Sequence, residues 1–263
     1  MKSEYLLEVK EVSKFFHGLA GAKHPVLENI NFKLEKKTDG GILASIISPI
    51  NSGKTTLMKI ISAIEKPSAG EVYLNGEIYS KPDGTIAYIP EKPSSFPWMN
   101  VKQNIEFAMS VSKCPGKKDK TNIDGIISSV GLTGYEDHYP HEKSTGFRIR
   151  ISLARVLAAG AKLILLDDFF NDLHGETRNE IINLIKSLSK DFNLALLLSS
   201  SNVNDAVSIS DKIFLLSRRP GRIIKEADID CIKRKEQPQY ISSIKNEIDK
   251  CFQEHDKIST LAE

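Results

Sequence analysis

Two stretches near the N-terminus, residues 5–10 and 26–34, alternate apolar and polar side chains, with Leu6, Leu7 and Val9 in the first and Val26, Leu27, Ile30, Phe32 and Leu34 in the second. A period of two predicts antiparallel strands with one buried face. The pattern then changes. Ile42–Ile47, Leu163–Leu166, Leu194–Leu198 and Lys212–Leu216 are almost unbroken apolar runs, as in strands covered on both sides. Short strands are expected around Val72–Leu74 and at Ile86–Ile89, where Pro90 closes the run. Helical spacing starts near Lys54 and returns over Val101–Val111, Ile123–Val130 and Ile149–Ala159. In the tail, 237–258, Ile241, Ile244, Ile248 and Phe252 line one helical face. Strands alternating with helices predict an α/β fold with a mostly parallel, doubly wound sheet.

Composition narrows the class without naming a chemistry. The chain has 263 residues, 40% hydrophobic and 27% charged, enough for one large α/β domain or for two small domains. A net charge of +2 gives no reason to expect nucleic acid as a partner. The absence of any apolar run of 18 residues predicts a chain that does not span a membrane. Met1–Tyr5 has no apolar signal core, and Cys114, Cys231 and Cys251 lack metal-ligand spacing; both point to a reducing cytosol. Lys117-Lys118-Asp119-Lys120 reads as part of a solvated linker.

Candidate chemistry sits at the ends of the apolar runs. After Ile47 comes Ser48-Pro-Ile-Asn51-Ser52-Gly53-Lys54-Thr55-Thr56, a tight loop opening into a helix. That order aims backbone N–H groups and a helix N-terminus at a polyanion, with Lys54 as a point charge for the β/γ-phosphates and Thr55 as a hydroxyl ligand for Mg²⁺. The usual G-x-x-x-x-G-K-[ST] pattern has its first glycine replaced by Ser48, and Asn51 stands where a second is common. Asn tolerates positive φ, which accounts for Asn51 but not for Ser48. A second apolar run ends in Asp167-Asp168, where α/β sheets place their chemistry. Asp172 is better placed to cap the next helix. Phe16, with Phe15 as second candidate, is either a core aromatic or a stacking surface for a base. Pro93–Val101, with Phe96 and Trp98, has the composition of a contact loop.

Taken in order, these segments resemble the ATP-binding cassette ATPases over nearly the whole chain. Tyr88-Ile89-Pro90-Glu91 is similar to the loop that usually ends in Gln. Lys143-Ser144-Thr145-Gly146-Phe147-Arg148-Ile149-Arg150 is similar to the signature segment, and Asn171-Asp172-Leu173-His174 to the loop after the Mg²⁺-associated strand. Ser201 falls where the switch histidine belongs. Phe96–Val101 and Leu216–Ile223 look most like the import ATPases for nitrate, sulfonate, taurine and bicarbonate. The resemblance implies a single nucleotide-binding domain over 1–263 with a P-loop NTPase core, an N-terminal antiparallel subdomain and a helical signature subdomain over about 99–158. It implies ATP and Mg²⁺ as cofactors. Phe16, Ser48, Asn51, Ser52, Gly53, Lys54, Thr55, Thr56, Ser144 and Gly146 would hold nucleotide, Thr55, Asp167 and Glu91 would hold the metal, and Asp168, Glu91 and Ser201 would stand at the catalytic positions.

The departures carry their own expectation. Ser201 cannot take up the positive charge a histidine can. Asp168 in place of Glu retracts the carboxylate by about 1.5 Å, and misplacement near 1 Å can cost on the order of 10²-fold in rate. Glu91 is still a hard oxygen ligand but adds negative charge. Thr145 and His174 replace a glycine and an aspartate at positions the family places between subunits. Grip on the phosphates is kept while the cleaving machinery has drifted, which implies a subunit that binds Mg-ATP, closes into a dimer and hydrolyses weakly at its own site. A heterodimer with a better-equipped ATP-binding partner, beside membrane permease subunits on the inner face of the membrane, is the favoured arrangement. A weakly active homodimer and a regulatory or assembly module that does not drive transport are the alternatives.

Overall fold

A computed structural model describes residues 4–18, 21–37, 41–92, 94–114 and 122–261. The Lys117–Lys120 charge run lies outside the described residues. In chain order the first elements are β1 (Tyr5–His17), β2 (Lys23–Glu35), β3 (Leu43–Ile47), α1 (Lys54–Ile61), β4 (Ala69–Leu74), β5 (Glu77–Ile78) and β6 (Ile86–Ile89). Next come α2 (Val101–Val111), α3 (Ile123–Ser129), α4 (Thr145–Ala159), β7 (Leu163–Asp167) and α5 (Gly175–Asp191). The last are β8 (Ala195–Ser200), α6 (Val203–Ile209), β9 (Lys212–Leu216), β10 (Ile223–Asp228), α7 (Cys231–Glu236) and α8 (Pro238–Leu261).

The chain divides into two compact units, one of Met1–Thr38, Ile42–Lys81 and Leu197–Glu263, the other of Asp39–Gly41 and Pro82–Leu196. In the first, β2-β1-β4-β5 form an antiparallel sheet whose inward face carries Leu7, Val9, Ile30, Phe32 and Leu34. Its second sheet has β10-β9-β3-β8 in that order. There β3 runs parallel to β9, from Ala44 opposite Lys212 to Ile47 opposite Leu215, and all five residues of β3 are buried. β10 is antiparallel to β9, an edge strand that its half-polar sequence does not announce. β1 reaches His17, so Val12–Phe16 belong to the strand. Ile47 and Ile248 share one buried cluster with Ala206, Val207, Ile213 and Leu215, against which Ile241, Ile244 and Phe252 of α8 pack. The four apolar positions read from the tail are thus the face that α8 buries.

In the second unit β6 and β7 run parallel, from Ile86 opposite Leu163 to Ile89 opposite Leu166. The α2 helix matches its expected span and carries a capping box between Asn100 and Gln103. The α4 helix starts at Thr145, four residues before its apolar periodicity, because Ser144 caps it by accepting from the Phe147 N–H at 3.3 Å. The α5 helix corrects one expectation. Its N-cap position is His174, with no side-chain hydrogen bond, so Asp172 does not cap it.

Candidate functional site: a phosphate loop and an acidic strand end

The loop after β3 is shaped by two left-handed residues, Asn51 at φ 65° and Gly53 at φ 98°. Asn51 therefore adopts the conformation for which Asn substitutes for glycine. Gly53 admits no substitute: an added Cβ would come within 2.9 Å of Val26 Cγ1 and 3.1 Å of the Val26 carbonyl. Ser48 is buried and its Oγ lies 2.6 Å from Ser52 Oγ, while its N–H donates to the Ser200 carbonyl at 3.2 Å. The serine that replaces the first glycine thus stitches the loop to itself.

Lys54 is the first residue of α1 and only 5% exposed. Its Nζ donates to the carbonyls of Ser48 and Pro49, each at 3.3 Å, and to Ser201 Oγ at 3.0 Å. An ammonium buried at the N-terminus of a helix beside carbonyl and hydroxyl oxygens suits an anionic ligand, because a charged acceptor makes a stronger bond than a neutral one. No side chain caps α1 and its first turn has no acidic residue, which favours negative charge at that end. Thr55 is exposed and Thr56 half-buried on the first turn. Phe16 is 43% exposed near the end of β1, with Lys14 Nζ 4.9 Å from its ring centroid. A cavity of about 1010 Å³ lies elsewhere in this unit, over the antiparallel sheet, where Glu8 pairs with Lys10 and Lys33 and Lys10 stands over Tyr73.

In the second unit Asp167 ends β7, 2% exposed, and its Oδ2 accepts from the Tyr88 hydroxyl at 2.8 Å. Burial, reinforced by the charge of Asp167, pushes the Tyr88 phenol well above its ordinary range. Asp168 has φ 42°, a left-handed conformation that Asp tolerates better than most side chains. Glu91 is exposed and its Oε1 accepts from Asn171 Nδ2 at 2.9 Å, so the loop after β6 is tied to the loop after β7. Gly146 is buried in α4, where a Cβ would meet Thr177 Cγ2 at 2.7 Å, and Thr145 Oγ1 accepts from Arg148 at 3.2 Å.

Sequence reasoning passed over three polar residues that organise this unit: Tyr88, Asn171 and Asn104. Asn104 is fully buried, accepts from the Phe96 N–H and donates to the carbonyls of Phe96, Met99 and Asn100 at 2.9–3.1 Å. Its signal was available: an Asn on the apolar face shared by Val101, Ile105 and Ala108. It folds the aromatic loop so that Trp98 stands 69% exposed while Phe96 packs on Phe107, their centroids 5.1 Å apart, under the Arg155 guanidinium at 4.6 Å. Beside it lies a groove of about 350 Å³ lined by Tyr88, Ile89, Phe107, Val111 and Arg155.

For a divalent cation the available donors are hard oxygens. Among the described residues no group of three His, Cys, Asp or Glu side chains is placed to hold a metal by itself. That fits Mg²⁺, which takes one or two protein oxygens and completes its shell with phosphates and water. Among the described residues no helix is long and apolar enough to cross a membrane.

Comparison with known proteins agrees on one family. The ABC transporter family model matches residues 27–171. The aliphatic sulfonates import ATP-binding protein SsuB of Bacillus cereus is 32% identical over 219 residues, 83% of this chain and 84% of that protein. The nitrate import ATP-binding protein NrtD of Synechocystis is 29% identical over 256 residues, 97% of this chain and 94% of that protein. The structure of cbiO1 from Clostridium perfringens, part of the ABC transporter complex cbiONQ, superposes with a TM-score of 0.74 at 21% identity, covering 99% of both chains. The post-hydrolysis dimer of the ATP-binding cassette MJ0796 gives a TM-score of 0.69 at 22% identity, covering 85% of this chain and 99% of that one.

Proposed function

Because the chain belongs to the ABC transporter family of ATP-binding proteins, we propose that it is the ATP-binding motor subunit of an importer for a small anion or organic solute. The relatives' substrates, sulfonate and nitrate, support that class of cargo. The observation that carries the reading is the loop of Ser48–Thr56, whose left-handed Asn51 and Gly53 present Lys54 at the N-terminus of α1. Lys54 gives up its carbonyl and hydroxyl partners for the β/γ-phosphate oxygens. By the family's motif order Thr55, Asp167 and Glu91 would be the residues for Mg²⁺. Mg²⁺, when bound, neutralises phosphate charge. Phe16 offers a face to the base once Lys14 moves aside, and Ser144 and Gly146 begin a helix that meets the nucleotide of a facing subunit.

At its own site the subunit hydrolyses slowly. Ser201 supplies a hydroxyl to Lys54 where a histidine would help place water, and Asp168 is a shorter carboxylate than Glu. A partner ATP-binding subunit with complete motifs makes a heterodimer the assembly favoured by these side chains. Trp98 and the adjoining groove offer an amphipathic contact surface to membrane permease subunits on the cytoplasmic side.

The test is calorimetric ATP binding and ATPase assays of the isolated chain and of Lys54→Ala, with and without permease subunits. ATP binding that Lys54→Ala abolishes is expected, with slow turnover alone. Turnover of the isolated chain within the ordinary enzyme range of ~1–10³ s⁻¹ would sink the claim of weak hydrolysis. ATP binding with no permease association would favour a regulatory module.

A further inference from the structure

Tyr88 joins two features that are otherwise described separately. Its ring forms part of the wall of the groove beside α2 and α4, and its hydroxyl donates to Asp167 Oδ2 at 2.8 Å. It lies opposite Leu165 in the parallel pair of β6 and β7, two residues short of Asp167, and side chains on strands lean along the strand. The geometry therefore lets one side chain reach from the groove to the buried end of β7.

We propose that Tyr88 is a positioning residue for Mg²⁺, fixing the rotamer of the Asp167 carboxylate so that its other oxygen faces the metal. The inference rests on the reading of Asp167 as a metal-side carboxylate. A carboxylate that is 2% exposed needs hydrogen-bond donors. The Tyr88 hydroxyl, 2.8 Å from Oδ2, is such a donor. Groups that orient a metal ligand from behind commonly govern metal affinity as strongly as the ligands do.

The experiment is calorimetric titration of ATP into the full chain over a series of Mg²⁺ concentrations and in EDTA, for wild type, Tyr88→Phe and Tyr88→Leu. Tyr88→Phe keeps the ring and deletes one oxygen; Tyr88→Leu deletes the hydroxyl by a different route. Both are expected to raise the half-saturating Mg²⁺ about tenfold while leaving ATP affinity in EDTA within about twofold of wild type. A Tyr88→Phe titration that superposes on wild type, or one that loses affinity equally with and without Mg²⁺, overturns the inference alone. A wild-type chain whose ATP binding ignores Mg²⁺ overturns the reading of Asp167 and the inference with it.

Discussion

The Lys54 ammonium donates to the Ser201 hydroxyl oxygen at 3.0 Å, so the residue standing where the family resemblance expects a histidine holds the lysine of the loop after β3. Replacing Ser201 by His offers a group that can take up a proton near neutral pH. We expect Ser201→His to raise ATP turnover on the order of 10²-fold, the lower end of what a well-placed acid–base group contributes. Steady-state phosphate release decides the point; an unchanged rate would place the block elsewhere, with Asp168 the first suspect.

Glu91 accepts from Asn171 through an oxygen that a glutamine also possesses. Glu91→Gln should therefore keep the tie between the two loops and remove one negative charge. ATP affinity should rise about fivefold, corresponding to ~1 kcal/mol of relieved repulsion in a solvated setting. Equilibrium binding measures it, and weaker binding would mean that the neutral amide oxygen of Gln does not replace the carboxylate toward the metal.

The α8 helix is held by a buried seam, with the Lys225–Glu247 ion pair beside it. Ile248 is 2% exposed in the cluster that also contains Ile47 and Val207. Ile248→Ala should cost about 2–5 kcal/mol of unfolding free energy. Denaturant titration provides the check, and a loss below ~1 kcal/mol would show that the helix end relaxes into the gap.

Glu8 provides a pH handle. The Lys33 ammonium 2.6 Å away, aided by Lys10 at 3.0 Å, holds its carboxyl below the usual glutamate range. A lowered folded-state pKa adds stability above the unfolded value of about 4.3 and loses it as pH falls further. Glu8→Gln should melt slightly lower than wild type at pH 7, with the gap closing in acid and shrinking in high salt. A gap that persists at pH 3 would assign the loss to packing.

The strands and the loop were legible because their signals are local. The apolar runs at Ile42–Ile47 and Leu163–Leu166 can only be covered strands, and Gly53-Lys54-Thr55 specifies a turn into a helix. β10 was hidden: none of its residues is buried and its burial shows no strict alternation, so only pairing with β9 makes it a strand. The start of α4 was misread because Ser144 caps it by a hydrogen bond that no apolar period reveals. Tyr88 and Asn171 escaped notice since each acts through a partner 79 or 80 residues away in the chain. The hydroxyl bridge of Ser48 to Ser52 shows why a serine stands at a glycine position, a relation visible only once the loop is closed.

The cluster that joins Ile47 to Ile248 also dictates an order of events during synthesis. The phosphate loop is translated well before α6, which packs against its preceding strand, and before α8, which packs on α6. Such distant pairings form late, because the intervening chain must first be gathered in. A ribosome-bound fragment lacking α8 should therefore carry every residue of the loop and still fail to hold nucleotide until the final turns emerge.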